Sequence, residues 1–370
     1  VRGNLRQGVA VGMLIRLQGG LAMARFSRLD VLNAMLDSGL VPVFYHGDLD
    51  VAKKIAGAAA AGGAKVLEFT NRGDLAYRIF ADLAEACGKE IPELILGAGS
   101  VLDPGTASLF INSGANFIVG PVFSADVAKT CNRRKIPYLP GCGSVSEISQ
   151  AEEYGVEICK IFPGAEVGGP AFVRNVLAPM PQARLMPTGG VDATKESVGR
   201  WFSAGAACVG LGSKLIAGEL VAAGDFASIA RKTAEVLNWI NECRGRSVFA
   251  GIEHVGLYPD GGTSGCSIAQ WYADTFGFRN EEGESSFLAS SWGHGRIEVS
   301  KKSQFAKPHI AVRVTNFELA CSILKSTGVE LEEPNVSRDA KAVYLKGADP
   351  AGNRVHLIWN RKWNAGRAHG

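Results

Sequence analysis

Val156-Glu157-Ile158-Cys159-Lys160-Ile161-Phe162-Pro163 sets a lysine inside an apolar run. On a strand's alternation, Val156, Ile158, Lys160 and Phe162 share one face. A cation on an apolar face is costly unless it is paired or deprotonated. A neutral amine is the form that attacks a carbonyl to make a Schiff base. The plain alternative is a lysine at a strand end with its ammonium in solvent. The surrounding chain favours chemistry, because this stretch is one of a series. Short apolar strands are predicted at 40–45, 65–70, 93–98, 116–120, 137–139, 157–162, 184–187 and 207–211. Alanine-rich amphipathic segments such as 50–61, 74–87 and 124–133 lie between them.

Helix starts are signalled by Asp103-Pro104, by Ser144-Val145-Ser146-Glu147 and by Asp192-Ala193-Thr194-Lys195. Strand–helix alternation implies a parallel sheet, and eight repeats within about 200 residues imply an α/β fold of the (β/α)8 TIM barrel type. A doubly wound open sheet is the main rival. No GxGxxG follows the first strand, which weakens it. Phe226–Cys243 reads as a closing helix, and residues 244–250 as a linker containing Arg244-Gly245-Arg246.

Beyond the linker the apolar period changes to two, with strands predicted at 251–257, 286–288, 296–300, 309–314, 342–346 and 354–359. Helical segments at 267–276 and 316–326 interrupt them. The order is that of an α+β domain built from two βαβββ modules, spanning 251–362, with 363–370 as a tail. Residues 1–22 carry Arg2 and Arg6 before a mildly apolar stretch, but Arg16 and Gln18 break it. This segment is read as an upstream extension outside the fold.

Composition narrows the function classes. The 370 residues suffice for two cores. The net charge of +3 comes from interleaved acids and bases without a basic stripe, which argues against a nucleic-acid partner. No apolar run is long enough to span a bilayer, so no membrane role is expected. The eight cysteines are scattered with no CxxC pair, so neither a zinc knuckle nor a disulfide framework is expected, and a reduced cytoplasmic setting fits.

In a barrel of this kind, chemistry sits at the C-terminal strand ends and the loops that follow. Those ends read Leu67-Glu68-Phe69-Thr70-Asn71-Arg72, Gly97-Ala98-Gly99-Ser100, Gly120-Pro121, Lys160-Ile161-Phe162-Pro163, Pro187-Thr188-Gly189-Gly190 and Gly210-Leu211-Gly212-Ser213. With these elements in this order, residues 23–243 resemble the aldolases of 2-keto-3-deoxy-6-phosphogluconate (KDPG), which also cleave 4-hydroxy-2-oxoglutarate (KHG). The resemblance implies a class I aldolase that needs no cofactor. Lys160 would form the imine and Glu68 would carry the proton transfers. Arg72, Ser100 and Thr188 would hold the keto-acid carboxylate. The family usually has threonine where Ser100 stands, a mild departure. Pro121 and Phe162 would wall the pocket. Gly189, Gly190, Gly212 and Ser213 would receive a phosphate at the corner after the last two strands. A small keto-acid substrate and a homotrimer are further implications.

The twofold βαβββ pattern resembles the vicinal oxygen chelate superfamily, which includes glyoxalase I, extradiol dioxygenases and bleomycin-resistance proteins. Its metal-binding members take ligands from the first and last strands of each module. Here those positions carry His254, Glu298, His309 and His356, the last in place of the more usual glutamate. Three of the chain's six histidines fall on them. The set suits a divalent Zn, Ni, Fe or Mn. The alternatives are a metal-free binding or assembly module, or histidines that are hydrogen-bonded core. Of the others, His46 follows the first strand near the barrel mouth, while His294 and His369 read as loop and tail residues.

Overall fold

The computed structural model describes residues 24–259, 262–290, 295–301, 308–337 and 339–360. The expected extension at 1–22 and tail at 363–370, with His294 and His369, lie outside the described residues. The first half contains β1 (Leu40–Phe44), β2 (Val66–Thr70), β3 (Ile95–Gly99), β4 (Ile118–Val119), β5 (Tyr138–Leu139), β6 (Gly141–Cys142), β7 (Cys159–Ile161), β8 (Leu185–Pro187) and β9 (Val209–Leu211). They form two parallel sheets, ordered β5-β4-β3-β2-β1-β9 and β6-β7-β8. Only Pro140 separates β5 from β6, and Thr188, just past β8, bridges in parallel to Gly210 of β9. The two sheets thus meet at both ends of a curled parallel α/β sheet.

All eight strands expected here are present in order. The ninth, β6, continues the fifth beyond Pro140. Proline offers no N–H to a ladder, so the run changes partner at that residue. Upstream it pairs with β4 and downstream with β7, while the Lys160 N–H donates to the Pro140 carbonyl at 2.9 Å.

Helices follow the strands, and their starts are fixed by side-chain caps. Asp48, Asp103, Ser124, Ser144, Thr194 and Asp225 each accept an N–H from three residues on. Such caps stabilise a helix by about 1 kcal/mol each. One core cluster lies between the sheet and these helices and includes Phe69, Phe80 and Phe110. A second fills one end of the inner face. It takes Val41, Val66, Ile95, Phe117, Leu139, Ile158, Met186 and Cys208 from the strands or their entries, and Val31, Leu32 and Met35 from the helix Arg28–Ser38 that precedes β1. This helix plugs the N-terminal end of the curl, so the opposite end is left for chemistry.

The second half contains β10 (Phe249–Leu257), a helix at Gly265–Phe276, β11 (Arg279–Glu282), β12 (Ser286–Ser290) and β13 (Arg296–Ser300). It continues with β14 (His309–Val314), a helix at Phe317–Ser326, β15 (Asn335–Val336), β16 (Ala340–Ala348) and β17 (Arg354–Asn360). One sheet, ordered β11-β12-β13-β10-β14-β17-β16-β15, contains all eight strands. β10 runs parallel to β13, and β14 parallel to β17; an antiparallel β10–β14 pair joins the halves. Each helix covers its own small core, one around Phe317 and Val343, the other around Ala269 and Phe287. β11 and β15 carry no apolar alternation, which is why periodicity alone did not indicate them.

Candidate active site and histidine cluster

Alternation along the strands builds the first site from the plugged layer upward. Two residues beyond Val41, Val66, Ile95, Ile158, Met186 and Cys208 stand Val43, Glu68, Gly97, Lys160, Thr188 and Gly210, on the same inner face. Glu68, Lys160 and Thr188 therefore share the inner face beyond the plug. In register, Glu68 lies opposite Val43 and Gly97, and Lys160 opposite Gly141 and Met186. Glycines make room for them. A β-carbon on Gly99 would meet Glu68 Oε1 at 1.9 Å, and one on Gly210 would meet Thr188 Oγ1 at 2.2 Å.

Lys160 is 6% exposed, and its Nζ stands 4.9 Å from the centre of the Phe162 ring. Glu68 is 1% exposed. Burial raises its carboxyl above the ordinary value, against the opposing positive charges of Lys160 and Arg72. Oε2 of Glu68 and Oγ1 of Thr188 are buried without a hydrogen-bond partner among the described residues. They stand available to a polar ligand. A carboxyl of raised proton affinity beside a buried lysine is suited to taking and returning a proton during imine chemistry.

The remaining candidates line the same end. Arg72 is exposed in the loop after β2. Ser100 is half-buried with φ of 60°, a left-handed conformation in which serine is better tolerated than a β-branched residue. Pro121 follows β4, and its carbonyl would clash with any β-carbon on Gly141. Gly189 and Gly190 have φ of 84° and 78°, so the turn after β8 needs glycine. The Gly212 carbonyl accepts the N–H groups of Leu215 and Ile216, and Ser213 is exposed in that turn. Among the described residues His46 bonds locally, its Nδ1 accepting the Asp48 N–H at 3.1 Å.

The second site is a two-row grid on the other sheet. One row reads Arg296–His254–Ala311–His356 across β13, β10, β14 and β17; the next reads Glu298–Gly256–His309–Arg354. Ala311 and Gly256 hold the space between the polar residues. A β-carbon on Gly256 would penetrate the His309 ring, at 1.8 Å from Cε1. All three histidines are buried, and a ligand atom from each lies within 4.8 Å of the others. His254 Nε2 is 3.0 Å from His309 Nε2 and 3.0 Å from Glu298 Oε2, which is 3.5 Å from His309 Nε2.

Burial opposes charge on His254, but its hydrogen bonds to Glu253 and Glu298 outweigh it and raise its pKa to about 9. Bonds from His254 and His309 hold the Glu298 carboxyl far below its usual range, and Ser286 Oγ donates to its Oε1 at 2.7 Å. Burial and the two neighbouring histidines push His356 down to about 3. Its ring stacks on Tyr344 at 4.6 Å, and neither ring nitrogen has a partner among the described residues. Four residues expected from separate strand positions thus converge. Gly256, Glu253 and Tyr258 were not indicated by the sequence, and Gly99 only as part of a strand end, because their roles depend on cross-strand register.

Comparison with known proteins bears on the first site. A family model described as KDPG and KHG aldolase matches residues 31–232. The KHG/KDPG aldolase of Escherichia coli K12 is 34% identical over 200 residues, covering 54% of this chain and 90% of the relative. The 2-dehydro-3-deoxy-phosphogluconate aldolase of Pseudomonas aeruginosa is 35% identical over 191 residues, covering 51% and 84%. The crystal structure of KDPG aldolase from Legionella pneumophila, with pyruvate captured as a covalent carbinolamine intermediate, superposes with a TM-score of 0.51 at 29% identity, covering 55% of this chain and 96% of that one. The Zymomonas mobilis enzyme with 3-phosphoglycerate gives the same TM-score and identity, covering 58% and 97%.

Proposed function

The chain belongs to the KDPG and KHG aldolase family, a family of class I carbon–carbon lyases, and we propose that residues 23–243 form a closed (β/α)8 barrel that cleaves KDPG to pyruvate and glyceraldehyde 3-phosphate. Cleavage of 4-hydroxy-2-oxoglutarate to pyruvate and glyoxylate is the allied activity. The observation that carries this reading is Lys160, buried on the inner face where its charge acts on the buried Glu68. The Lys160 amine attacks the C2 carbonyl and water leaves, giving an iminium that draws electrons from the C3–C4 bond. Glu68 takes the C4 hydroxyl proton as that bond breaks and returns it to C3 of the enamine. Hydrolysis then releases pyruvate and restores the amine.

Arg72, Ser100 and Thr188 hold the substrate carboxylate; Gly189, Gly190, Gly212 and Ser213 receive the phosphate; Pro121 and Phe162 flank the imine. The active form is a cytoplasmic trimer. Among the described residues no helix is long and apolar enough to cross a membrane. Borohydride reduction with pyruvate, followed by peptide mass spectrometry, tests the reading. A reduced adduct on Lys160 that is lost in Lys160→Ala is expected. A folded protein with no adduct would overturn it.

A second reading applies to residues 251–362, joined through 244–250. The histidine cluster supports a divalent-metal site of the vicinal oxygen chelate kind, held by His254, Glu298, His309 and His356. The donors fit: tetrahedral ligands at 2.0–2.1 Å from zinc stand about 3.3 Å apart, and here three donor atoms are separated by 3.0 to 3.5 Å. Neutral His356, whose ring nitrogens have no partner among the described residues, would supply the fourth. Such a metal would polarise a bound oxygen ligand as a Lewis acid. Metal analysis of the full chain against His309→Ala tests this. Equal, near-zero metal in both would leave an assembly or binding module.

A further inference from the structure

We infer that Glu253 and Tyr258 are positioning residues for a divalent metal at the histidine cluster, turning Nε2 of both His254 and His309 toward its centre. This rests on the metal reading of the cluster.

Register explains how Glu253 comes to do this. Neighbouring residues on a regular strand point to opposite faces, so a glutamate next to His254 should not reach its ring. However, β10 is irregular at this point. Ile252 lies opposite Val312 and His254 opposite Ala311, so two steps on β10 match one on β14. Glu253 is the extra residue of a β-bulge, a feature that re-aims side chains beside functional sites. Its carboxylate is 8% exposed, and Oε2 accepts from His254 Nδ1–H. Its other oxygen is fixed by Arg296 Nε at 3.1 Å. The chain of contacts Arg296–Glu253–His254 therefore holds the ring from behind.

His309 is held by a different group to the same effect. The Tyr258 hydroxyl lies 2.6 Å from its Nδ1. Gly256 lets the ring lie flat across β10. In both rings the Nδ1 edge is engaged by protein and the Nε2 edge faces the other ring and Glu298. A partner on the rear nitrogen settles the tautomer and raises ligand basicity. His356 has no such partner among the described residues, so the orienting contacts are concentrated on the β10–β14 pair.

The test is Co²⁺ binding by the full chain, measured in competition with a chromophoric chelator, for wild type, Glu253→Gln and Tyr258→Phe. Both substitutions keep shape. Ring ¹⁵N spectra of the Zn²⁺-loaded wild type add a readout that needs no variant. The expected result is a loss of about 10–100-fold in affinity for each variant, with metal on Nε2 and a proton on Nδ1 of both rings. Wild-type binding matched within twofold by both variants, or metal on Nδ1 of either ring, would overturn the inference while sparing the site. A wild type that binds no Co²⁺, like His309→Ala, would overturn the metal reading and this inference together.

Discussion

The Glu68 carboxylate lies directly over Gly99 on the neighbouring strand, where a β-carbon would stand 1.9 Å from Oε1. Both residues are buried and their strands are paired in register, so neither backbone has room to retreat. Gly99→Ala should therefore push the carboxylate out of its place without touching Lys160. The expected outcome is a kcat for KDPG cleavage reduced about 100-fold or more, the scale of losing a positioned acid–base group, while borohydride still traps pyruvate on Lys160. Wild-type turnover in a folded Gly99→Ala would mean that the position of Glu68 does not matter to cleavage.

The raised carboxyl of Glu68 has a consequence for stability. From its ordinary value of 4.5 upward, the unfolded chain releases this proton while the folded chain keeps it. The native state then binds more protons, so this group makes stability fall as pH rises until its folded value is passed. Glu68→Gln removes that fall. The variant should match wild type near pH 4 and melt at a progressively higher temperature as pH rises above it, until the folded value is passed. The transition to follow is the one that pyruvate shifts upward. A difference in melting temperature that is constant or shrinks with pH would contradict burial as the cause.

The proposed phosphate corner after β8 and β9 would separate the two substrates. Gly189 and Gly190 turn in the left-handed region after β8, and Ser213 is exposed in the loop after β9. A carboxylate at 213 would repel the C6 phosphate more than the closer-in C5 carboxylate of 4-hydroxy-2-oxoglutarate. Hydrogen bonds to a charged group contribute about 1.5–3 kcal/mol. Ser213→Asp should accordingly raise KM for the phosphorylated substrate roughly 10–100-fold and affect the shorter one far less. Equal losses on both would remove the phosphate from this corner.

What could be read without coordinates follows from where each signal resides. A charge on an apolar strand face marks Lys160 in the sequence itself, Glu68 enters through the family resemblance, and alternation between apolar strands and alanine-rich helices orders the first eight strands. Pro140 was visible, but its effect was not: the missing N–H splits one strand into two with different partners. The plug formed by Arg28–Ser38 shows only weak patterning, and burial rather than periodicity reveals it. Gly99 and Gly256 matter because a side chain from an adjacent strand occupies their missing β-carbon, which depends on register alone. Glu253 is subtler, since only the bulge in β10 lets it share a site with its neighbour.

Gly256 gives the most discriminating test of the second half. The His309 ring crosses it so closely that a methyl group would overlap Cε1, Nδ1 and Nε2 at once. The side chain cannot remain where it is, and with it go the contacts to His254, Glu298 and Tyr258. The sheet itself has reason to survive, because Gly256 keeps its backbone pairing with Glu298 and His309 and its φ is not in the left-handed region. Gly256→Ala should therefore abolish Co²⁺ binding by the full chain while far-UV circular dichroism stays as in wild type. Pyruvate trapping on Lys160 should be unaffected, since that chemistry belongs to the other sheet. Undiminished Co²⁺ binding in a folded Gly256→Ala would show that His309 is not a ligand, and the metal would have to be sought elsewhere in the chain.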